Sequence, residues 1–212
     1  MKSKLTLILS LAALTASLQS NAQLFVIEPD DYPNGAILNH LLPQVSLVTA
    51  GANNLPIPFD VAAAYDGFGY ASTGTNVFGH AGGIPFWNTN RRLRMDFTTP
   101  ISLLSIDFIG GDLFTNDVAK LDAFSSAGTL LESYTSAPQP PDSVETLFIS
   151  RPASDIAWAV AYLPADGGSF GRLDNLRFSL VPEPSVIVIS GLGGLLWMCR
   201  LRDRRRQGGR GI

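Results

Sequence analysis

Cysteine is nearly absent from this chain of 212 residues, and the single one is Cys199, in a C-terminal apolar stretch. The middle therefore has no thiol, no disulfide can staple it in any redox compartment, and its stability must come from a buried core. Histidine is equally scarce, with only His40 and His80, far apart in sequence. A zinc site would need both, joined by carboxylates that the fold brings together, and two loop histidines are the plainer reading. Bases are few as well. From Gln23 to Val181 sixteen acids stand against seven bases, a net of −9, whereas the whole chain carries −3. So acidic a surface repels phosphate backbones and argues against nucleic acid as a partner. The middle also lacks any apolar stripe of helical period and length, which leaves strands as the way to bury its apolar residues.

The two ends are built differently from the middle. Lys2 and Lys4 precede an apolar run from Leu5 to Leu18, and Ser20-Asn21-Ala22 places small residues where a signal peptidase reads. That order predicts a signal peptide over 1–22, cut between Ala22 and Gln23. At the other end Val181-Pro182-Glu183-Pro184-Ser185 leads into an uncharged run, Val186 to Cys199. Arg200, Arg202, Arg204, Arg205, Arg206 and Arg210 follow it. The prolines exclude regular structure at the joint. An apolar run in lipid must satisfy its backbone internally, so 185–199 is expected to be a transmembrane helix. At about 1.5 Å per residue it reaches roughly 21–24 Å, short of a hydrocarbon core of about 30 Å. Trp197 and the arginines can offset part of that mismatch at the interface, and the arginines fix the cytoplasmic side.

This order of Pro-Glu-Pro, short apolar helix and basic end resembles the PEP-CTERM sorting domain, and Gly191, Gly193 and Gly194 fit it. The resemblance implies that Pro182, Glu183 and Pro184 form a motif recognised by an exosortase, a membrane-embedded cysteine transpeptidase of Gram-negative bacteria that make exopolysaccharide. It further implies an inner-membrane intermediate, removal of the tail, and delivery to the outer surface or extracellular matrix. The expected organisation is signal peptide 1–22, ectodomain 23–180 and sorting signal 181–206, with its motif at 182–184 and basic end at 200–210.

Within the ectodomain, short apolar runs are separated by Gly, Pro, Asn and Asp, the habit of an antiparallel sheet protein. Expected strands are Leu24 to Glu28, Val45 to Ala50, Leu93 to Phe97, Leu104 to Phe108, Ala119 to Phe124, Leu130 to Tyr134, Val144 to Ile149, Ile156 to Tyr162 and Leu173 to Leu180. Leu93, Met95 and Phe97 face one way, and Ile156, Trp158, Val160 and Tyr162 share a face. Thr98-Thr99-Pro100 is expected to break its run, and Ser125-Ser126-Ala127-Gly128 to make a hairpin turn. About eight strands in two sheets, a jelly roll, would bury such faces. The stretches Arg94-Met95-Asp96-Phe97, Ile106-Asp107-Phe108, Leu121-Asp122-Ala123-Phe124 and Leu173-Asp174-Asn175-Leu176-Arg177-Phe178 are similar to strands of carbohydrate-binding-module-like sandwiches. Residues from Gly51 to Asn90 read as loop, rich in Gly, Asn and aromatics.

Three kinds of site are open. Phe86-Trp87-Asn88 and Phe68-Gly69-Tyr70 can present Trp87, Phe86 and Tyr70 as a flat platform for the C–H faces of sugars, with exopolysaccharide as partner; a tryptophan capping the core is the alternative. Asp174 and Asn175, joined by Glu28, Asp30 or Asp31, offer hard oxygen donors of the type calcium takes; Asp-Asn is also an ordinary turn signal. Gly167-Gly168-Ser169-Phe170-Gly171 matches G-x-S-x-G, but no helix follows and both histidines come earlier, so Ser169 reads as a loop serine. No spacing singles out a carboxylate pair for glycoside hydrolysis. The expectation is a non-catalytic, exported, biofilm-associated surface protein, with a secreted hydrolase and a purely structural component as alternatives.

Overall fold

The computed structural model describes residues 23–111, 118–164 and 171–180. Ala22, Ser169, the Pro182-Glu183-Pro184 motif, the expected helix 185–199 and the arginines from 200 to 210 lie outside these residues. Among the described residues no helix is long and apolar enough to cross a membrane.

Among the described residues eleven strands build a two-sheet antiparallel sandwich: β1 Gln23–Ile27, β2 Val45–Ala50, β3 Val61–Tyr65, β4 Asn76–His80, β5 Arg92–Ile101, β6 Leu103–Ile109, β7 Lys120–Phe124, β8 Leu130–Thr135, β9 Val144–Ser150, β10 Ile156–Tyr162 and β11 Arg172–Leu180. One sheet runs β3-β4-β11-β6-β9, with β1 paired on β11, and the other runs β2-β5-β10-β7-β8. A single 3₁₀ turn, Pro29–Asp31, follows β1. Gln23 pairs with Leu180, so the first and last ladder positions among the described residues are neighbours.

Period two is plain in β2, β5 and β9. In β5, Leu93, Met95 and Phe97 are buried while Arg92, Arg94 and Asp96 are half-buried, the alternation expected of a sheet with one face on the core. The core between the sheets joins Leu47, Leu93, Met95, Leu121, Ala123, Ala159 and Ala161 to Phe78, Leu104, Ile106, Phe108, Leu147, Leu173 and Phe178. The Ser125–Gly128 turn forms as expected, with Gly128 at φ +78° and the Ser125 amide donating to the Thr129 carbonyl at 2.9 Å.

Two expectations are corrected. The stretch from Gly51 to Asn90 is not all loop, because it contains β3 and β4. Val61 to Ala64 and all of β4 are buried on both faces, and a strand covered on both sides carries no alternation to read. Thr98-Thr99-Pro100 does not end its strand either, since β5 continues to Ile101. Neither neighbouring ladder pairs with these three exposed residues, and a proline without a ladder partner is tolerated there.

Candidate functional site

That unpaired segment decides the site. Ile156 pairs with Ile101 and Trp158 with Asp96, so two steps along β10 answer five along β5. An odd step against an even one inverts face parity. Ile156 therefore belongs to the core, whereas Trp158 leaves the core and joins the outer face of the five-stranded sheet. The expected common face of Ile156, Trp158, Val160 and Tyr162 is thus split by a bulge. Ala159 and Ala161 point inward in their place.

Registers across five strands then place outward side chains in rows. One row is Ser46, Asp96, Trp158 and Phe124. The next is Val48, Arg94, Val160, Asp122 and Ser133. Phe124 stacks on Trp158 with ring centres 3.9 Å apart and planes 6° from parallel. The Arg94 guanidinium lies over the same indole at 4.3 Å. Because β10 runs between β5 and β7, arginine, tryptophan and phenylalanine form a continuous band across three strands. Arg94 also holds Asp96 at 2.6 Å and donates to the Asn54 carbonyl at 2.7 Å. Arg92 sits 3.9 Å over the Tyr162 ring and donates to Asn54 Oδ1 at 2.7 Å. Tyr162 donates its hydroxyl to Asp122 at 3.2 Å, and burial followed by the Asp122 charge pushes the phenol up from its ordinary value. The outcome is a rigid aromatic and charged surface with Asp96 and Ser133 at its edge.

The platform expected from Trp87, Phe86 and Tyr70 does not form. Trp87 is 0% exposed, its Nε1–H donates to the Phe78 carbonyl at 2.7 Å, and its ring meets His80 edge-on at 5.0 Å. An indole with its one donor satisfied inside the core presents no face to a ligand. Phe86 and Tyr70 do come together, around Arg172, whose guanidinium lies 4.9 Å and 4.7 Å from their ring centres. Arg172 is fully buried and pairs with buried Asp66 at 3.0 Å. Asp66 also accepts the Tyr70 amide, so this cluster clamps the loop after β3. Phe68, 67% exposed, stacks on Tyr70 at 6.2 Å.

The two histidines keep separate partners. His40 shares a hydrogen bond with Ser46, while His80 Nε2 meets the Phe86 carbonyl and its Nδ1 faces Arg91 Nη1 at 3.3 Å. Burial, and then the Arg91 charge, hold the His80 imidazole below its ordinary value.

A third cluster lies at the start of β11. Asp174 Oδ2 accepts the Ser72 amide at 2.9 Å, the Ser72 hydroxyl at 2.8 Å and the Thr73 amide at 3.3 Å. Asp30 Oδ1 accepts the Thr75 and Asn76 amides, so one short segment joins both carboxylates. A Cβ on Gly74, at φ +52°, would fall 2.2 Å from the Asp30 carboxylate. Burial, with the Glu28 charge nearby, pushes the Asp174 carboxyl up to about 7. Glu28 Oε1, Asp30 Oδ2 and Asn175 Oδ1 are buried and have no hydrogen-bond partner. Among the described residues no three His, Cys, Asp or Glu side chains converge as a metal cage. The donors gathered here are instead a mixed carboxylate and amide set. Orphaned hard oxygens suit calcium, which takes six to eight oxygens of mixed type.

The geometry defines the class as an antiparallel two-sheet sandwich. No protein-family model and no curated protein matches the chain. Among solved structures it is similar to the K2 cleaved adhesin domain of Lys-gingipain, at 14% identity over 74% of this chain and 100% of that one, with a TM-score of 0.48. It is similar to the K1 adhesin domain of Lys-gingipain from Porphyromonas gingivalis W83, at 11% identity over 74% and 97% of the two chains, TM-score 0.44. A family 29 carbohydrate-binding module matches at 15% identity over 75% and 89%, TM-score 0.40. Likeness this distant carries nothing about what the chain binds.

Proposed function

We propose that this chain is a non-catalytic, exported surface protein whose sandwich, a jelly roll of the carbohydrate-binding-module type, binds polysaccharide across the outer face of its five-stranded sheet. The observation that carries the reading is the band of Arg94, Trp158 and Phe124, with Asp96 and Ser133 beside it. The stacked Phe124 and Trp158 rings and the Arg94 guanidinium present apolar ring edges and a cation on which C–H-rich sugar surface can pack, and flanking carboxylates and hydroxyls complement sugar hydroxyl groups. The stack is preorganised, because each member is held by its strand and by its neighbour, so little side-chain freedom is lost on binding.

The test is glycan-array and pull-down binding by the exported protein and its Trp158→Ala variant. Truncating a central aromatic costs about 2 kcal/mol or more, roughly thirtyfold in affinity. Equal binding by both forms would remove the sheet face as the site. Blank arrays for the native protein would leave a purely structural surface component, and turnover on glycoside or ester panels would restore the hydrolase alternative.

The proposed route to the surface rests on the sequence of the two ends. Signal peptidase releases Gln23, the first residue of β1. Exosortase recognises Pro182, Glu183 and Pro184 while the apolar run 185–199 holds the tail in the inner membrane and the arginines stay cytoplasmic. The tail is then removed, and the protein reaches the outer surface or extracellular matrix, where a biofilm role follows. Replacing Pro182, Glu183 and Pro184 by alanine should leave a longer, membrane-retained form, and normal release of a shortened product would reject the route.

Calcium is part of the proposal as a structural ion. Glu28, Asp30 and Asn175 would hold it, with Asp174 behind them, and the ion would supply the charge that their orphaned oxygens lack.

A further inference from the structure

Of the seven bases of the sandwich, four make ion pairs with described acids and three do not. Among the described residues Arg94, Arg151, Arg172 and Arg177 each make an ion pair with an Asp or Glu. Arg91 faces His80 and the Phe59 ring instead. Arg92 and Lys120 make no ion pair with a described acid, and both flank Tyr162 at the same end of the aromatic band. The Arg92 guanidinium is positioned entirely by neutral groups. Its Nε donates to the Thr89 carbonyl at 2.9 Å, its Nη1 donates to Asn54 Oδ1 at 2.7 Å, and the Tyr162 ring lies beneath it. Its charge is thus aimed but not neutralised. Lys120 stands across Tyr162 in the ladder between β10 and β7. Asp122, two residues along β7 from Lys120, is 9% exposed and already accepts the Tyr162 and Ser133 hydroxyls.

An ectodomain with a net charge of −9 should not leave two cations without a described acid partner beside its aromatic band for solubility alone. Its overall field repels polyanions, so an anion held here must be recognised locally. A guanidinium fork fixed in place is suited to the two oxygens of a carboxylate or sulfate. We propose that the Arg92 and Lys120 end of the sheet, where buried Tyr162 holds the Arg92 guanidinium in place, binds an anionic substituent, so that the ligand is an acidic polysaccharide. This rests on the sheet face being the polysaccharide site, and it adds the class of polysaccharide.

The experiment uses the exported protein against matched polymers. Polygalacturonate, polymannuronate and polyglucuronate are each compared with the same polymer after reduction of its carboxyls to hydroxymethyl groups, and dextran sulfate is compared with dextran. The expected result is binding to an acidic member at least about tenfold tighter than to its neutral partner, a difference of about 1.4 kcal/mol, and weakening as salt rises. The uronate and dextran arms tell carboxylate from sulfate. Lys120→Gln should shrink that preference while leaving binding to the neutral partner unchanged, and Arg92→Gln should shrink it as well. Lys120→Gln touches none of the contacts that hold Asn54, so it also serves if Arg92→Gln fails to fold. Neutral polymers bound as tightly as acidic ones would overturn the inference and leave the polysaccharide reading standing. No binding to any polymer would overturn both.

Discussion

Trp87 and Trp158 exchange the roles that the sequence suggests for them, and substituting each in turn tests the reasoning. Trp87 fills the core at 0% exposure, contacts His80 edge-on, and donates its indole N–H to the Phe78 carbonyl at 2.7 Å. Trp87→Phe removes part of the ring and the donor together. Full truncation of a core aromatic costs about 3–5 kcal/mol, and a phenyl ring keeps roughly two thirds of the packing, leaving about 1–2 kcal/mol of it lost. The Phe78 carbonyl is then buried without its indole donor, which adds about 1–3 kcal/mol. The expected loss is therefore about 2–5 kcal/mol, a shift of about 4–20 °C in melting temperature at the roughly 2–4 °C per kcal/mol of a domain this size. Urea unfolding followed by circular dichroism should show a lower midpoint at unchanged slope. Glycan binding measured below the transition should be unaffected. A Trp87→Phe protein of native stability that had lost its ligand would refute the placement of this residue in the core and the assignment of binding to the opposite sheet.

Calcium should raise the melting temperature of the exported protein, EDTA should lower it, and Asn175→Ala should abolish the difference; an Asn175→Ala protein that still responds would reject these ligands. Because the His80 imidazole is held below its ordinary value by burial, the unfolded chain takes up the proton first as pH falls. Its contribution to stability is complete above about pH 6.5 and is lost below it, so the native protein should lose more stability than His80→Gln between pH 7 and pH 5 in melting scans. Gly110→Ala should destabilise by about 1–3 kcal/mol in urea unfolding, since its new methyl would overlap a backbone carbonyl that cannot swing away; that carbonyl is Pro140's, 2.2 Å from the Cβ position. A native midpoint would show that the loop carrying Pro140 yields.

How far the chain could be read follows from where its side chains are covered. Strands with one face on the core announce themselves, as β2 and β5 do by alternation, while β7 and β10 lie at their expected positions although their burial does not alternate. β3 and β4 do not, since Val61-Ala62-Ala63-Ala64 and Asn76-Val77-Phe78-Gly79-His80 are enclosed on both sides and lose the period. The Asp174, Asn175, Glu28 and Asp30 grouping was legible because acids near a turn are visible in sequence, and the structure adds the Ser72–Asn76 segment that joins Asp174 to Asp30. The aromatic band was not legible. Trp158 reads as one apolar residue among several on a strand, and the only hint was that Ala159 and Ala161 between the larger residues are themselves good core fillers.

The amino-acid order alone determined that the middle of this protein is an acidic, disulfide-free β domain, because alternation, turn residues and the absence of thiols are properties of neighbouring positions. Only the tertiary structure decided which aromatics face outward. Three unpaired residues in β5 shift the register against β10 by an odd number of steps, and a slip of that kind sends a side chain from one face of a sheet to the other. Register is set by the partner strand, some sixty residues away in sequence, so the chain could not state it locally.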